Sequence, residues 1–261
     1  MDIEGGVAIV TGSSSGVGAA CARKLAERGC HVVINYSRNE AGARSVQTAC
    51  EAFGVQTLVV QGDVADDADC RRLAAAAEAK WGRIDALVNN AGTTKFCAHD
   101  DLEGLSKQDF LDIYSVNTVG AYQMTRAVRP AMKRGGRGSI VNVASIAAVM
   151  GVGSSIAYAA SKGALVTMTL SLARVLGPEI RVNAVCPGFI QGDWLREGMG
   201  AETYERTKRA LEQSTPLRLT TTPDTVADAI LYFVAGADVV TGETLILDGG
   251  MHLNTAPMTR R

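Results

Sequence analysis

The sequence lacks the ligand patterns of metal-binding proteins and the charge excess of nucleic-acid-binding ones. Its six cysteines form no C-x-x-C pair, and His31, His99 and His252 stand far apart, so no metal site is predicted. Lys and Arg together number 26 against 27 Asp and Glu, which leaves a net charge of −1 and gives no reason to expect nucleic acid or an anionic membrane as a partner. Scattered thiols are typical of a reducing compartment.

Signals for export and membrane insertion are also missing. The N-terminus reads MDIEGGVAIV and has no apolar segment followed by a cleavage site. Between residues 139 and 173 the only charge is Lys162, but Gly, Ser, Asn and Thr interrupt this run before about 18 consecutive apolar residues accumulate. We interpret the run as a buried strand followed by a buried helix, and we predict a cytoplasmic protein.

Short apolar runs rich in β-branched residues recur along the whole chain. Continuous rather than alternating apolarity is typical of parallel strands covered on both faces, and helical patterns lie between the runs, as at 18–29 and 69–82. The pattern predicts a single domain over 1–261, an α/β, doubly wound fold of Rossmann type with a mainly parallel seven-stranded sheet and helices on both faces. The predicted strands are 7–10, 31–36, 57–60, 86–90, 139–145, 181–185 and 244–248.

Two helix starts and two polar segments stand out from this alternation of strands and helices. Ser106 with Asp109, and Thr222 followed by Pro223, are typical of helix N-termini. The polar, glycine-bearing segment 189–221 follows the sixth strand, so it is predicted to be a substrate-binding lid beyond the carboxyl ends of the strands. The polar tail 254–261 is typical of a frayed terminus.

The first strand runs directly into TGSSSGVG (11–18), and a helical pattern follows. Gly12, Gly16 and Gly18 permit a tight turn, close backbone approach to a ligand and close helix–strand packing, while free N–H groups at a helix start favour a pyrophosphate. A purely structural turn is the alternative. Because the glycines lie between a first strand and a helix, dinucleotide binding is favoured.

The end of the second strand bears on which dinucleotide binds. An NAD site usually offers a carboxylate here, but the chain reads Asn35-Tyr36-Ser37-Arg38, with no acid before Glu40. The Arg38 guanidinium and the Ser37 hydroxyl suit a 2′-phosphate. NADP(H) is therefore favoured and NAD(H) is possible; the alternative is that Arg38 is a solvated loop residue.

Tyr158 and Lys162 stand four residues apart in SIAYAASKGA (155–164), so both lie on one face of a helix. The ammonium would then lie beside the phenol. Taken alone, the pair is better explained by a packed ring and a lysine that reaches solvent.

Together these motifs resemble those of the short-chain dehydrogenase/reductase family, in the same order and over almost the whole chain. TGSSSGVG, Asp63-Val64, NNAG (89–92), Asn117, Ser145, YAASK (158–162), Pro187-Gly188 and TGETLILDGG (241–250) carry the resemblance. It implies a small-molecule substrate, a homotetramer, and Asn117, Ser145, Tyr158 and Lys162 as catalytic residues. The implied cofactor contacts are Gly12, Ser14, Ser15, Gly16, Val17, Gly18, Tyr36, Ser37, Arg38, Asp63, Val64, Asn90, Ala91, Gly92, Tyr158, Lys162, Pro187, Gly188 and Ile190.

The chain departs from the family pattern at two places. Ser15 stands where many NADP-using relatives carry a basic residue, so Arg38 would bind the phosphate alone. After Pro187-Gly188 the family often has a threonine at the nicotinamide carboxamide, whereas this chain reads Phe189-Ile190-Gln191. The carboxamide contact is thus left to Ile190 and Gln191.

The residues themselves predict acid–base chemistry. A free tyrosine has a pKa of about 10, and Lys162 together with an oxidised nicotinamide is expected to lower it. Tyr158 would protonate a forming alkoxide or take a hydroxyl proton, and Ser145 would hydrogen-bond the substrate oxygen. Asn117 either holds a water that links Lys162 to solvent or is a core asparagine bonded to backbone.

The substrate is less well defined by the sequence. An apolar wall is predicted from Phe96, Met150, Phe189, Trp194 and Met199. The basic run 129–137 would suit an acidic carrier protein, although a solvated helix C-terminus is the favoured explanation.

The leading hypothesis is an NADP(H)-dependent carbonyl reductase or alcohol dehydrogenase, with a 3-oxoacyl thioester as one candidate substrate. The alternatives are a sugar or polyol dehydrogenase and a dinucleotide-binding sensor without catalysis. An enoyl-thioester reductase is disfavoured, because relatives of that type space the Tyr and Lys more widely than four residues.

Overall fold

A computed structural model describes residues 2–253, and the predicted frayed tail 254–261 lies outside them. The described chain forms one sheet of seven parallel strands in the order β3-β2-β1-β4-β5-β6-β7, with helices on both faces. The predicted fold class is confirmed, and the strands begin and end close to the predicted positions. They are β1 Val7–Val10, β2 His31–Tyr36, β3 Thr57–Gln61, β4 Ala86–Asn89, β5 Gly138–Val143, β6 Ile180–Pro187 and β7 Thr244–Leu247.

The strand order changes direction at β1: β2 and β3 are added on one side of it, and β4 to β7 on the other. This strand pairs with β2 on one side and with β4 on the other, in both cases parallel. In open α/β sheets a crevice forms outside the carboxyl ends of the strands at such a switch point. The turns that follow β1 and β4 therefore meet at one edge, where the glycine-rich motif and NNAG both lie.

The described residues form ten α-helices, several of which cover the two faces of the sheet. They are α1 Gly16–Glu27, α2 Glu40–Glu51, α3 Asp67–Trp81, α4 Lys107–Tyr114, α5 Ala121–Arg134, α6 Ala147–Met150, α7 Ile156–Leu176, α8 Asp193–Met199, α9 Ala201–Ser214 and α10 Pro223–Leu231. Successive residues of β1 supply two separate cores: Ala8 and Val10 pack with α1, α2 and α10, while Val7 and Ile9 pack with α3, α5 and α7. Because both faces are buried, the strand sequence has no polar alternation.

The predicted helix starts are confirmed. Ser106 accepts a hydrogen bond from the backbone N–H of Asp109, and the Asp109 side chain accepts one from the Ser106 N–H, which completes a capping box before α4. Thr222 caps α10 through Thr225, with Pro223 in the first turn.

Two local features were not predicted. A π-helical segment, Ser115–Gly120, joins α4 to α5 and contains Asn117; such segments are frequent at functional sites. The polar segment 189–221 contains two helices, α8 and α9, rather than an irregular loop. The segment has few apolar residues, so the apolar periodicity that predicts buried helices is absent from it.

Among the described helices, α7 has the length and apolar composition to cross a membrane, a test that core helices of soluble proteins also pass. Here α7 packs against β5, β6 and α6, and it carries the buried Lys162. We therefore interpret it as the core helix that the sequence predicted.

One buried carboxylate joins the starts of β1 and β4. Asp85, which is 5% exposed, accepts a hydrogen bond of 2.9 Å from the backbone N–H of Val7 and two from Arg83, of 2.8 and 2.6 Å. We expect Asp85→Ala to lower the free energy of unfolding by about 3 kcal/mol, because it leaves a buried N–H and a guanidinium unpaired. Urea denaturation measures this difference. The exposed Asp100→Ala is the control, and equal losses in the two variants would contradict the assigned role.

Candidate active site

The glycine-rich turn after β1 is packed too closely against its neighbours to admit side chains at Gly12 and Gly18. Gly12 and Gly16 have φ angles of +60° and +54°, values that favour glycine. A Cβ on Gly12 would lie 2.9 Å from Ala91 Cα, and a Cβ on Gly18 would lie 2.5 Å from the Gly12 carbonyl oxygen. Ser15 starts α1 without capping it through its side chain, and the first turn holds no acidic residue. The N-terminus of α1 is thus available to an anionic group, as a pyrophosphate requires.

Buried polar side chains fix the shape of this turn. Asn35 Oδ1 accepts a hydrogen bond of 3.0 Å from the Gly12 N–H, while its Nδ2 donates to the Gly62 carbonyl at 3.0 Å. Thr11 Oγ1 accepts from the N–H groups of Asn90 and Ala91, at 3.0 Å each. The sequence analysis assigned no role to Thr11 or Asn35. A single asparagine in the otherwise apolar run HVVINY is the signal that could have identified Asn35.

Asn90 connects the two turns directly. Its Nδ2 donates to the carbonyl oxygens of Thr11 and Gly12, at 2.9 and 3.0 Å. Because the Asn90 side chain is used in this way, it supports the turn rather than pointing into open space. Ala91, which lies against Gly12, and Gly92 continue this edge of the crevice.

The end of β2 lies beside the same turn. Tyr36 is buried, whereas Ser37 and Arg38 are exposed. Glu40, the first acid after the strand, is paired with Arg44 at 3.2 Å, while Arg38 makes no hydrogen bond or ion pair with another residue in 2–253. At the end of β2 the exposed guanidinium of Arg38 is therefore unpaired among residues 2–253, whereas the carboxylate of Glu40 is paired.

Asp63 and Val64, which the sequence predicted as cofactor contacts, follow the third strand. Asp63 is exposed, and its Oδ1 accepts a hydrogen bond from the Ala65 N–H at 3.0 Å. Val64 is buried, and a Cβ on Gly120 would lie 2.8 Å from its Cγ2. Both residues follow β3, so they lie at the carboxyl edge of the sheet together with the glycine-rich turn.

Ser145, Tyr158 and Lys162 converge at the junction of β5 and α7. Ser145 follows β5, and its side chain lowers the pKa of the Tyr158 phenol, against the larger effect of desolvation. Lys162 is 4% exposed; its Nζ lies 5.7 Å from the centroid of the Tyr158 ring and donates to the Val143 carbonyl at 2.7 Å. Ser155 caps α7 by accepting from the Tyr158 N–H, so the phenol stands in the first turn of the helix.

Burial dominates the protonation of both groups on α7. Desolvation raises the pKa of Tyr158 to about 12, although the hydrogen bond from Ser145 opposes this rise. Desolvation lowers the pKa of Lys162 to about 8. Lys162 therefore does not by itself lower the pKa of Tyr158. The sequence interpretation relied on Lys162 together with an oxidised nicotinamide, and that combined effect stays a prediction.

Asn117 lies in the π-helical segment and is buried. Its Oδ1 accepts from the Thr93 N–H at 2.8 Å, and its Nδ2 donates to the Thr93 carbonyl and to Ser161 Oγ, at 3.0 Å each. A Cβ on Gly92 would lie 3.4 Å from Asn117 Oδ1 and 3.6 Å from Lys162 Nζ. The side chain is thus bonded largely to backbone, as the plainer of the two sequence interpretations had it, and it still lies close to Lys162.

The end of β6 and the residues after it are hydrogen-bonded to β7 and to the turn that follows β5. Gly188 donates its N–H to the Leu247 carbonyl at 2.8 Å, and Pro187 accepts at 2.8 Å from the Ile146 N–H. Ile190 forms an isolated bridge with Thr221 and is half-buried. Gln191 Nε2 donates to Thr220 Oγ1 at 3.0 Å, so its amide is held by the chain itself.

The basic run of the sequence does not join this site. Lys133 and Arg134 end α5 and pair with Glu179 and Glu78. This arrangement matches the solvated helix end that was the favoured explanation. Within residues 2–253, no group of three or more His, Cys, Asp or Glu side chains is placed to hold a metal ion.

Comparisons with known proteins agree with this geometry. A family model described as "Enoyl-(Acyl carrier protein) reductase" matches residues 12–252. A protein of Streptomyces violaceoruber named "Granaticin polyketide synthase putative ketoacyl reductase 2" is 42% identical over 251 residues, which cover 96% of this chain and 97% of that protein. An L-rhamnose 1-dehydrogenase (NAD(P)(+)) of Azotobacter vinelandii is 37% identical over 94% of this chain and 96% of its own length. The structure of NAD+-bound xylitol dehydrogenase superposes with a TM-score of 0.88, at 26% identity, over 96% of this chain and all of that one.

The buried ammonium of Lys162 should be visible in the pH dependence of stability. Its pKa is lowered from 10.5 to about 8 in the folded protein, so the unfolded chain binds the extra proton between these values and stability rises with pH across that window. At pH 7 we expect Lys162→Met to exceed the wild type in unfolding free energy by about 2 kcal/mol, after allowance for the lost hydrogen bond to Val143.

This difference should shrink between about pH 8 and 10, as the wild-type ammonium loses its proton on folding. Urea denaturation at a series of pH values measures it, with the exposed Lys107→Met as the control. A difference that does not change with pH would contradict the assignment.

Proposed function

Because the chain belongs to the short-chain dehydrogenase/reductase family, whose members bind a nicotinamide dinucleotide and act on small molecules, we propose that it is an NADP(H)-preferring carbonyl reductase. The observation that carries the proposal is the meeting of Ser145, Tyr158 and Lys162 beside the glycine-rich turn. A dinucleotide sensor without catalysis has no use for a serine hydroxyl that acts on a half-buried tyrosine next to a buried ammonium.

The glycine-rich turn and the start of α1 would hold the pyrophosphate, with Ser14, Ser15, Gly16 and Val17 offering backbone and hydroxyl groups. Asp63 and Val64 would border the adenine, and Asn90, Ala91 and Gly92 the nicotinamide ribose. Pro187, Gly188 and Ile190 would contact the carboxamide side. The bound nicotinamide supplies the hydride for reduction or accepts it in oxidation.

Tyr158 would act as the proton donor. Since its pKa is about 12, the hydroxyl keeps its proton at neutral pH and can give it to an alkoxide as negative charge develops on the substrate oxygen. Ser145 would donate a second hydrogen bond to that oxygen and hold the carbonyl in place. These protonation states suit reduction better than oxidation.

Lys162 would position and charge the site. Its pKa of about 8 keeps the ammonium protonated at neutral pH, where it favours negative charge on the neighbouring phenol once the proton has left. Asn117, which lies against Gly92 and Lys162, would fix the chain around the ammonium. Burial of all these groups strengthens their electrostatic effects.

A 3-oxoacyl thioester is the first candidate substrate, because the relative named as a ketoacyl reductase matches the whole chain at 42% identity. The resemblance to rhamnose and xylitol dehydrogenases supports a sugar or polyol as the second candidate. Enoyl reduction, which the name of the family model suggests, is disfavoured by the four-residue spacing of Tyr158 and Lys162. A cytoplasmic location and a homotetramer are part of the proposal.

The segment 189–221 is proposed as the substrate lid. Phe189 and Tyr204 pack with ring centroids 5.2 Å apart, and the Tyr204 hydroxyl accepts from the Gly192 N–H at 3.2 Å. These contacts join α9 to the strand end that carries Ile190. The lid therefore has a folded base, while α8 extends over the crevice.

Tyr158→Phe tests the catalytic assignment. We expect kcat/KM for carbonyl reduction to fall by about a hundredfold to ten-thousandfold, because the proton donor is lost, with NADPH affinity within about threefold. NADPH consumption should be followed with a 3-oxoacyl thioester, a ketose and a simple ketone, and NADPH binding by titration. Tyr122→Phe, on the exposed face of α5, is the control. Wild-type turnover in Tyr158→Phe would remove this residue from the mechanism.

Arg38→Ala tests the choice of cofactor. Loss of the guanidinium should reduce kcat/KM for NADPH by about tenfold to a hundredfold, the value of one to two charge-assisted hydrogen bonds, and leave the value for NADH within about threefold. Arg28→Ala, an equally exposed arginine at the far end of α1, is the matched control. Equal losses with both nucleotides would show that Arg38 does not select NADPH.

A further inference from the structure

We propose that this enzyme selects ketones that carry a flat aromatic ring next to the carbonyl, and that Trp194 and Phe96 form the surface that recognises the ring. The inference rests on the proposed carbonyl reduction and adds a substrate class to it. It is carried by the rings of Phe96, Tyr158 and Trp194, which come from distant parts of the sequence and pack together.

The three rings form one continuous aromatic cluster. The Trp194 centroid lies 6.1 Å from that of Tyr158, with an interplanar angle of 47°, and 5.9 Å from that of Phe96, with an angle of 56°. Both pairs have the tilted geometry and spacing that aromatic rings prefer. Trp194 is nevertheless 50% exposed, so half of its side chain is open to a further contact.

Gly198 shows that the cluster is built into the lid helix. It follows Trp194 by four residues on α8, so both lie on the same helix face. A Cβ at Gly198 would lie 1.9 Å from Cε2 and 2.1 Å from Cζ of Phe96. The Phe96 ring thus lies directly on the helix backbone, a position that any larger residue would deny it. Glycine is a poor residue inside a helix, and this contact is a physical reason for its presence.

The polar side chains beside the rings are already paired with other parts of the protein. Thr94 Oγ1 and Ser154 Oγ are 2.7 Å apart, and Lys95 pairs with Asp109 at 2.8 Å. On the lid, Gln191 is bonded to Thr220 and Arg196 to Glu205, at 3.0 and 3.1 Å. A polyol needs free donors and acceptors for its hydroxyl groups, whereas Asp193 and Glu197 leave α8 with exposed negative charge that disfavours anions. A neutral, flat and apolar group fits the remaining surface.

The position of Trp194 beside Tyr158 also indicates which part of the substrate the indole would contact. A ketone that approaches the Tyr158 hydroxyl would bring its substituent near Trp194, because the indole and phenol ring centroids lie 6.1 Å apart. An aromatic substituent would replace water on the open half of the indole by a ring contact and hold the carbonyl toward Ser145. A flexible alkyl chain would gain less, since it offers no flat face and must be ordered.

A matched pair of substrates tests this inference. The 3-oxo-3-phenylpropanoyl and 3-oxononanoyl thioesters of N-acetylcysteamine have the same acyl carbon count and differ in the ring. We expect the wild type to favour the phenyl substrate by about tenfold in kcat/KM, the scale of one to two aromatic contacts. Trp194→Ala, Phe96→Ala and Gly198→Ala should each abolish the preference through loss of activity on the phenyl substrate alone, whereas Trp194→Phe should keep most of it. Trp81→Phe, which replaces the only other tryptophan, is the control.

Fluorescence gives a readout that does not need turnover. In the Trp81→Phe variant Trp194 is the sole tryptophan, so a bound aryl ketone should quench its emission and a matched alkyl ketone should not. Turnover of both thioesters at equal kcat/KM, or equal losses on both in Trp194→Ala, would overturn the aromatic preference and leave the reductase in place. Absence of turnover with either nucleotide, together with selective quenching by the aryl ketone, would overturn the proposed reaction and leave the aromatic site. Preferential turnover of xylitol or rhamnose would overturn the aromatic assignment in favour of a polyol site.

Discussion

The close approach of two turns at the switch point of the sheet is the contact on which the rest of the site depends. Gly12 lies against Ala91, and the Asn90 amide and the Thr11 hydroxyl hold the two turns together. This contact places the start of α1 beside Gly92, and Gly92 in turn borders Asn117 and Lys162. A side chain at Gly12 or Gly18 would separate the turns. The glycines therefore matter for backbone approach as much as for chain flexibility.

Burial then decides the chemistry of the residues brought together. Tyr158 and Lys162 lose most of their hydration, so the phenol keeps its proton to about pH 12 and the ammonium loses its own near pH 8. The protein thus holds a protonated phenol and an ammonium side by side on α7, and Trp194 of α8 packs near the phenol ring. The same burial that costs folding energy makes the hydrogen bond from Ser145 and the charge of Lys162 effective.

Much of the fold could be predicted because its signals are local. Buried parallel strands have continuous apolar sequences. Ser106 and Thr222 are N-cap residues that mark the starts of the helices after them. The helices α8 and α9 were not predicted because they present polar residues to solvent. The π-helical segment that contains Asn117 was not predicted because it has no characteristic sequence period. The roles of Thr11 and Asn35 were also not predicted, because the role of a buried polar side chain depends on its hydrogen-bond partners, which only the structure shows.

The sequence by itself determined the order of strands and helices, the glycines of the turn, and the presence of Ser145, Tyr158 and Lys162 at the spacing of the short-chain dehydrogenase/reductase family. These are properties of composition and short-range periodicity. Only the tertiary structure decided that desolvation dominates the pKa of Tyr158, that Gln191 and Lys95 are already paired, and that Phe96 and Tyr158 both pack near Trp194. Those outcomes depend on distances between residues far apart in the chain, and no local pattern encodes a distance of that kind.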